Sequence, residues 1–205
     1  MVVGLGTGST AYFVIEALIR RVREGLRIVG IPTSERSAAQ ARAGGIPLGG
    51  FGQYRQIDID IDGADEIQRG PLHLIKGLGG ALLREKIVAA ASRRLVIVGD
   101  ETKLVDRLGK TSVPVEVVSF GWEVTAERLA RLGARPVLRM AGGSPFRTDE
   151  GHLILDCAFG AIDEPAELEQ AIGRTVGVVE SGLFVGMASL ALVASEAGVI
   201  ELTPA

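Results

Sequence analysis

The 205-residue chain is poor in several things that would have set its class at once. Cys157 is the only cysteine, so no intrachain disulfide can form, and a reducing compartment such as the cytoplasm is expected. Aromatic residues make up only 4% of the chain, and lysine occurs four times against 18 arginines. No excess of positive charge exists: the net charge is −3 and the isoelectric point about 5.5. That leaves no electrostatic footprint for nucleic acid or an anionic membrane, although a small anion needs only a local site. No apolar run approaches the length of a spanning helix, and Met1-Val2-Val3-Gly4 lacks the basic start and long apolar core of a signal peptide. There is no internal repeat and no low-complexity linker. The residues present are those of an ordinary globular protein, 47% apolar and 23% charged, but with 28 glycines that follow no fixed period. Disorder, fibres and coiled coils are excluded as descriptions of the whole.

Apolar spacing predicts alternating strands and helices in the first half. Strands are read at Val2–Gly6, Leu26–Ile31, Ile57–Ile61 and Leu95–Val98. Helices are read after Ser9 or Thr10 as cap, from Ser34 to Ala43, and from Gly79 to Ala91. Beyond Gly109 the order becomes strand, helix, strand, strand, helix, strand: Val113–Phe120, Thr125–Leu132, Pro136–Met140, His152–Ala158, Asp163–Ile172 and Val176–Val185. Thr125 and Asp163 are the expected caps of those two helices, and Ala188–Ala194 reads as a last helix packing back on the first half. The fold class is α/β: a Rossmann-like, mainly parallel sheet with helices on both faces, plus a smaller ferredoxin-like α+β unit. The expected division is residues 1–109 with 186–205, and residues 110–185.

The chemistry is expected where these strands end. Gly4-Leu5-Gly6-Thr7-Gly8-Ser9-Thr10 runs from a strand into a helix, so backbone N–H groups and hydroxyls can meet an anion. It suits a phosphate but not a dinucleotide, because Ser9 replaces a glycine of that fingerprint and no acidic residue ends the second strand. Asp58 to Glu66 holds five carboxylates, whose mutual repulsion should raise some pKa values. Asp62 and Asp65, with Gly63 and Ala64 between them, lie at the strand end. Asp58 reads as a solvated or salt-bridged strand face; Asp60 could share that face, and Glu66 could be a surface residue. Lys76-Gly77-Leu78-Gly79-Gly80 then opens a helix carrying Glu85, a candidate general base if burial raises its pKa, unless Arg84-Glu85-Lys86 is only an exposed stripe. Lys103 follows the fourth strand, where it could reach an anion. No His or Cys cluster has metal-ligand spacing, and no serine sits in a nucleophile elbow. The constellation fits a sugar phosphate undergoing metal-free proton transfer.

These motifs resemble those of the type A ribose-5-phosphate isomerases over nearly the whole chain. They are Gly6-Thr7-Gly8-Ser9-Thr10, Asp62-Gly63-Ala64-Asp65-Glu66, Lys76 through Gly80 to Arg84-Glu85-Lys86, and Asp100-Glu101-Thr102-Lys103, with Pro114-Val115-Glu116-Val117 and Gly182-Leu183-Phe184 also similar. The resemblance implies interconversion of D-ribose 5-phosphate and D-ribulose 5-phosphate in the non-oxidative pentose phosphate branch. It implies Glu85 as proton acceptor, with Asp62, Asp65 and Lys76 catalytic. Substrate binding falls to Thr7, Gly8, Ser9, Thr10, Asp62 to Asp65, Lys76 to Gly79, and Lys103. No metal or organic cofactor is implied, and a homodimer or homotetramer is. Two departures stand out: the family's usual N-terminal helix has no counterpart before Met1, and Leu78 replaces the middle glycine of Lys-Gly-Gly-Gly. The alternative is a non-catalytic sugar-phosphate-sensing domain on the same fold. An NAD or S-adenosylmethionine enzyme is disfavoured by Ser9 and by the missing acidic residue.

Overall fold

A computed structural model describes all 205 residues, Met1–Ala205. In chain order its elements are β1 (Val2–Leu5), α1 (Ser9–Arg23), β2 (Val29–Pro32), α2 (Glu35–Ala43), β3 (Ile59–Gly63), β4 (Glu66–Gln68), β5 (Leu74–Ile75), α3 (Leu82–Ala90), β6 (Leu95–Asp100), β7 (Leu104–Val105), β8 (Val113–Val117), α4 (Trp122–Arg131), β9 (Arg135–Leu138), β10 (Met140–Ala141), β11 (Ser144–Pro145), β12 (Leu153–Ala158), α5 (Pro165–Gly173), β13 (Val178–Ser181), β14 (Leu183–Phe184), β15 (Ala188–Ser195) and β16 (Gly198–Leu202).

The main sheet has six strands in the order β16-β15-β6-β3-β1-β2. All pairings are parallel except that of the edge strand β16, which closes a hairpin on β15. The chain steps from β1 outward to β2 and returns to β3 on the other side. The carboxyl ends of β1 and β3 therefore flank a switch point, where such sheets hold ligands. On one face, α1 lays Ile15 and Ile19 at helical spacing over Val3 and Leu5. Each such fully buried aliphatic side chain contributes about 1.5–3 kcal/mol.

The second sheet, β13-β8-β12-β9, is wholly antiparallel. With α4 and α5 it forms the β-α-β-β-α-β order of a ferredoxin-like unit around a core that includes Val115, Leu129, Leu155 and Ile172. A third, small sheet, β14-β5-β4-β7, joins the other two. Helix α3 packs against β3 of the main sheet and against β8 and β13 of the second sheet, so it is covered from two sides.

Several expectations are corrected. Ala188–Ala194 is not a helix: it lies within β15, a strand buried between β6 and β16. A short run of Ala, Leu and Val has no period that separates the two states, and the open edge of β6 decides for the strand. The expected strand Val176–Val185 divides into β13 and β14, because Gly182 takes the chain from one sheet to another. A Cβ there would lie 2.1 Å from the Lys76 carbonyl oxygen. Neither Ser9 nor Thr10 caps α1; Gly8 holds that position, and no side chain bonds the turn. Thr125 lies inside α4, which starts after Gly121, and α5 begins at Pro165 with Glu164, not Asp163, before it. Helix α3 starts at Leu82, leaving Gly77–Gly80 as a free-standing turn.

Candidate active site

The loops after β1 and β3, the turn before α3 and the turn after β6 meet in one cavity. Thr7, Gly8, Ser9, Thr10, Gly63, Ala64, Asp65, Lys76, Gly77, Gly79, Glu85 and Lys103 line it. Two residues expected there do not. The Leu78 side chain is half exposed, and Asp62 is wholly buried behind the wall. Leu78 takes part through its backbone alone: its N–H donates to Asp65 Oδ2 at 3.0 Å.

Along β3, Ile59 and Ile61 pack toward the core beneath α1, while Asp60 and Asp62 face away from it. That other face is covered rather than wet. Asp60, which the sequence left open, is settled: its side chain is fully buried and neither carboxyl oxygen has a hydrogen-bond partner. Burial first, and the charge of Asp62 second, push its pKa well above the usual carboxylate range. Asp58 is the outward one, accepting from Val2 N–H at 2.7 Å. Glu66 is buried rather than on the surface, and accepts the Gly109 and Thr111 N–H groups that follow β7.

Asp62 Oδ1 accepts the N–H groups of Thr7 (2.9 Å) and Gly63 (2.7 Å), tying the ends of β1 and β3 together. Its Oδ2 lies 2.9 Å from Lys76 Nζ, which is 3.3 Å from Glu85 Oε2 and donates to the Gly63 carbonyl. Lys76 and Glu85 are each 3% exposed, so one ammonium sits between two carboxylates almost out of water. The exposed-stripe reading of Glu85 is thereby excluded. Burial works against the Lys76 ammonium, but Asp62 and Glu85 outweigh it and raise its pKa, keeping it charged. Burial drives Glu85 the other way, up to about 8, with Lys76 opposing and Asp62 assisting. Asp65 is also raised, by burial above all, while Leu78 N–H, Lys76 and Lys103 hold it back. Repulsion among the carboxylates is real, but burial is the larger cause in each case.

The Thr7 hydroxyl does not point a free donor at the cavity. It is bonded to Thr33 (2.7 Å), Ser34 (2.8 Å) and Ser37 (3.2 Å), a buried hydroxyl cluster that locks the first loop onto the start of α2. The N–H groups of the first turn of α1 and the hydroxyls of Ser9 and Thr10 remain for an anion, with Lys103 across the cavity. Sequence reasoning missed Thr33, Ser34, Ser37 and Glu66, and also Arg139, which grips the turn that carries Lys76. Only Glu66 carried a signal, its place within the acidic run.

Fold and cavity together put the chain among the α/β proteins that hold small anionic molecules at the switch point of a parallel sheet, here with an acid–base group at the cavity floor. Comparisons narrow that class. The sequence model described as ribose 5-phosphate isomerase A (phosphoriboisomerase A) matches residues 29–198. The ribose-5-phosphate isomerase A of Gloeobacter violaceus is 63% identical over 205 residues, 100% of this chain and 89% of that protein. That of Gluconobacter oxydans is 61% identical over 207 residues, with 100% and 90% covered. Among solved structures, the Methanocaldococcus jannaschii enzyme superimposes with a TM-score of 0.95 at 41% identity, covering 99% of this chain and 91% of that one. A D-ribose-5-phosphate isomerase in complex with phospho-erythronic acid gives 0.96 at 38%, covering 99% and 90%. The chain belongs to the ribose 5-phosphate isomerase A family.

Proposed function

We propose that this chain interconverts D-ribose 5-phosphate and D-ribulose 5-phosphate, an aldose–ketose isomerisation of the pentose phosphate pathway, by proton transfer through an enediolate. The observation that carries it is Glu85, buried at the cavity floor beside Lys76 with its pKa raised to about 8. A carboxyl so tuned accepts and returns a proton near neutrality. In the open-chain aldose, Glu85 removes the C2 proton, and the electrons of that bond form the C1–C2 double bond. The Lys76 ammonium stabilises the charge gathering on the oxygens. Asp65, which lines the cavity, relays the hydroxyl proton between O2 and O1, and Glu85 returns its proton to C1. Asp62, behind the wall, holds Lys76 in place. Lys103, with the hydroxyls and N–H groups of Ser9 and Thr10, receives the phosphate, and Gly63, Ala64, Gly77 and Gly79 keep backbone close to the sugar.

The buried acid–base group also tells against a sensing domain, which needs phosphate contacts but no base. We place the protein in the cytoplasm as a homodimer or homotetramer; no helix is long and apolar enough to cross a membrane. The exposed Phe120 and Val176, next to the backbone pairing of Val118 with Gly177, support self-association. Purified protein mixed with ribose 5-phosphate should yield ribulose 5-phosphate at the same rate with and without a chelator. Absence of product would overturn the isomerase reading, and loss of activity on chelation would overturn the metal-free mechanism.

A further inference from the structure

We propose that Arg139, at the end of β9 in the second sheet, is a positioning residue that sets two successive peptide planes of the Lys76–Gly79 turn, one aiming an N–H at Asp65 and the next aiming an N–H at the substrate. The inference rests on the isomerase reading of the site. Arg139 Nη1 donates to the carbonyls of Gly77 and Leu78, both at 3.0 Å. The rest of the guanidinium is fixed by a two-pronged pair with Asp156 of β12, with Nε to Oδ2 at 2.9 Å. Its Cζ also lies 5.8 Å from the centre of the Phe146 ring.

In a planar trans peptide the C=O and the following N–H point in opposite directions. Holding the Gly77 carbonyl outward therefore turns the Leu78 N–H inward, where it donates to Asp65. Holding the Leu78 carbonyl outward turns the Gly79 N–H inward in the same way. No protein group accepts that N–H, and Gly79 lines the cavity beside Lys76. It is a spare donor next to the ammonium that faces the enediolate. Gly77 sits at φ 101°, which glycine adopts freely, and its carbonyl also accepts the Gly80 N–H at 3.0 Å, so Arg139 reinforces that bond and is the one partner of the Leu78 carbonyl. The antiparallel unit thus supplies no group that touches substrate, yet it aims two that the parallel sheet's loops present.

Arg139→Lys tests this, because one ammonium cannot pair with Asp156 on two prongs and reach both carbonyls. We expect kcat to fall about tenfold to a hundredfold with KM changed less than about threefold, the pattern of a misaimed donor rather than lost binding. A phosphorylated four-carbon aldonic acid, which puts negative charge where the enediolate forms, should lose more affinity than substrate does. Asp156→Asn should show the same two changes, in kcat and in inhibitor affinity, more weakly. If folded Arg139→Lys, checked by its melting temperature, keeps wild-type kcat and inhibitor affinity, the inference is wrong. If the melting temperature alone drops, Arg139 is merely structural and the inference is equally wrong. An inactive wild type would instead remove the isomerase reading, and this inference with it.

Discussion

Two ion clusters flank the ring of Phe184, each made of one lysine and two carboxylates. In the inner one Lys76, 5.4 Å from the ring centre, lies between Asp62 and Glu85. In the outer one Lys86, 5.0 Å from it, lies between Glu169 of α5 and Glu180 of β13 at 2.9 and 2.8 Å. Glu85 and Lys86 are neighbours in the chain, and the helix sends them to different clusters. The composition is the same; the water is not. Inner side chains are at most 3% exposed, whereas Glu169 and Glu180 are about 30% exposed. Solvent screens the outer group, which fastens α3 to the second sheet. Without solvent the inner group has one more negative charge than it can easily hold, and Glu85 becomes a group that exchanges a proton near neutrality. Reactivity here is a property of burial, not of residue type.

The sharpest way to break the comparison is Glu85→Gln, which keeps shape and loses the base. It should cut kcat about a hundredfold to ten-thousandfold, with substrate affinity little changed, in a steady-state assay. A variant within a few-fold of wild type would end the assignment of Glu85. The next effect is on pH. A base must be deprotonated to act, so kcat/KM should rise with pH through the value near 8 set for Glu85 and fall off below it. Asp62 contributes to that elevation, so Asp62→Asn should carry the limb to lower pH, whatever it does to the maximum. In the outer cluster Lys86→Met should change kcat less than about twofold and cost no more than about 1 kcal/mol in denaturant unfolding, as partly exposed pairs do. An effect on catalysis as large as that of Glu85→Gln would erase the distinction between the clusters. The smallest change expected is Asp60→Asn. Folding raises the pKa of Asp60, so at neutral pH the buried carboxyl costs stability that an amide does not, and the variant should be no less stable than wild type in denaturant unfolding. A loss of several kcal/mol would show that Asp60 carries a charge.

The candidate site was legible in the sequence to the extent that loops at strand ends make it up. Thr7 to Thr10, Asp62 to Asp65, Lys76 to Gly79 and Lys103 each stand just past an apolar run, and a parallel sheet gathers such positions at one edge. Glu85 was legible by its spacing from Lys76 but not by its burial, since a Glu between Arg and Lys on a helix reads locally as surface. Asp60 and Glu66 were left open for the same reason. Arg139 left no local trace at all, because its partners lie 62 and 61 residues away across a sheet boundary.

What the sequence determined by itself is therefore the local: alternation and helical spacing that define the elements, glycines where backbone turns sharply, and chemistry-bearing residues at the ends of strands. What the tertiary structure alone decided is which of those residues lose their water. β15 is a strand because β6 offered an open edge to a run with no period of its own. The pKa of Asp60 is raised, and that of Glu85 is pushed up to about 8, because burial strips both of water where α3 is pressed between two sheets. Solvation depends on everything packed around a group, and no stretch of sequence contains its own surroundings.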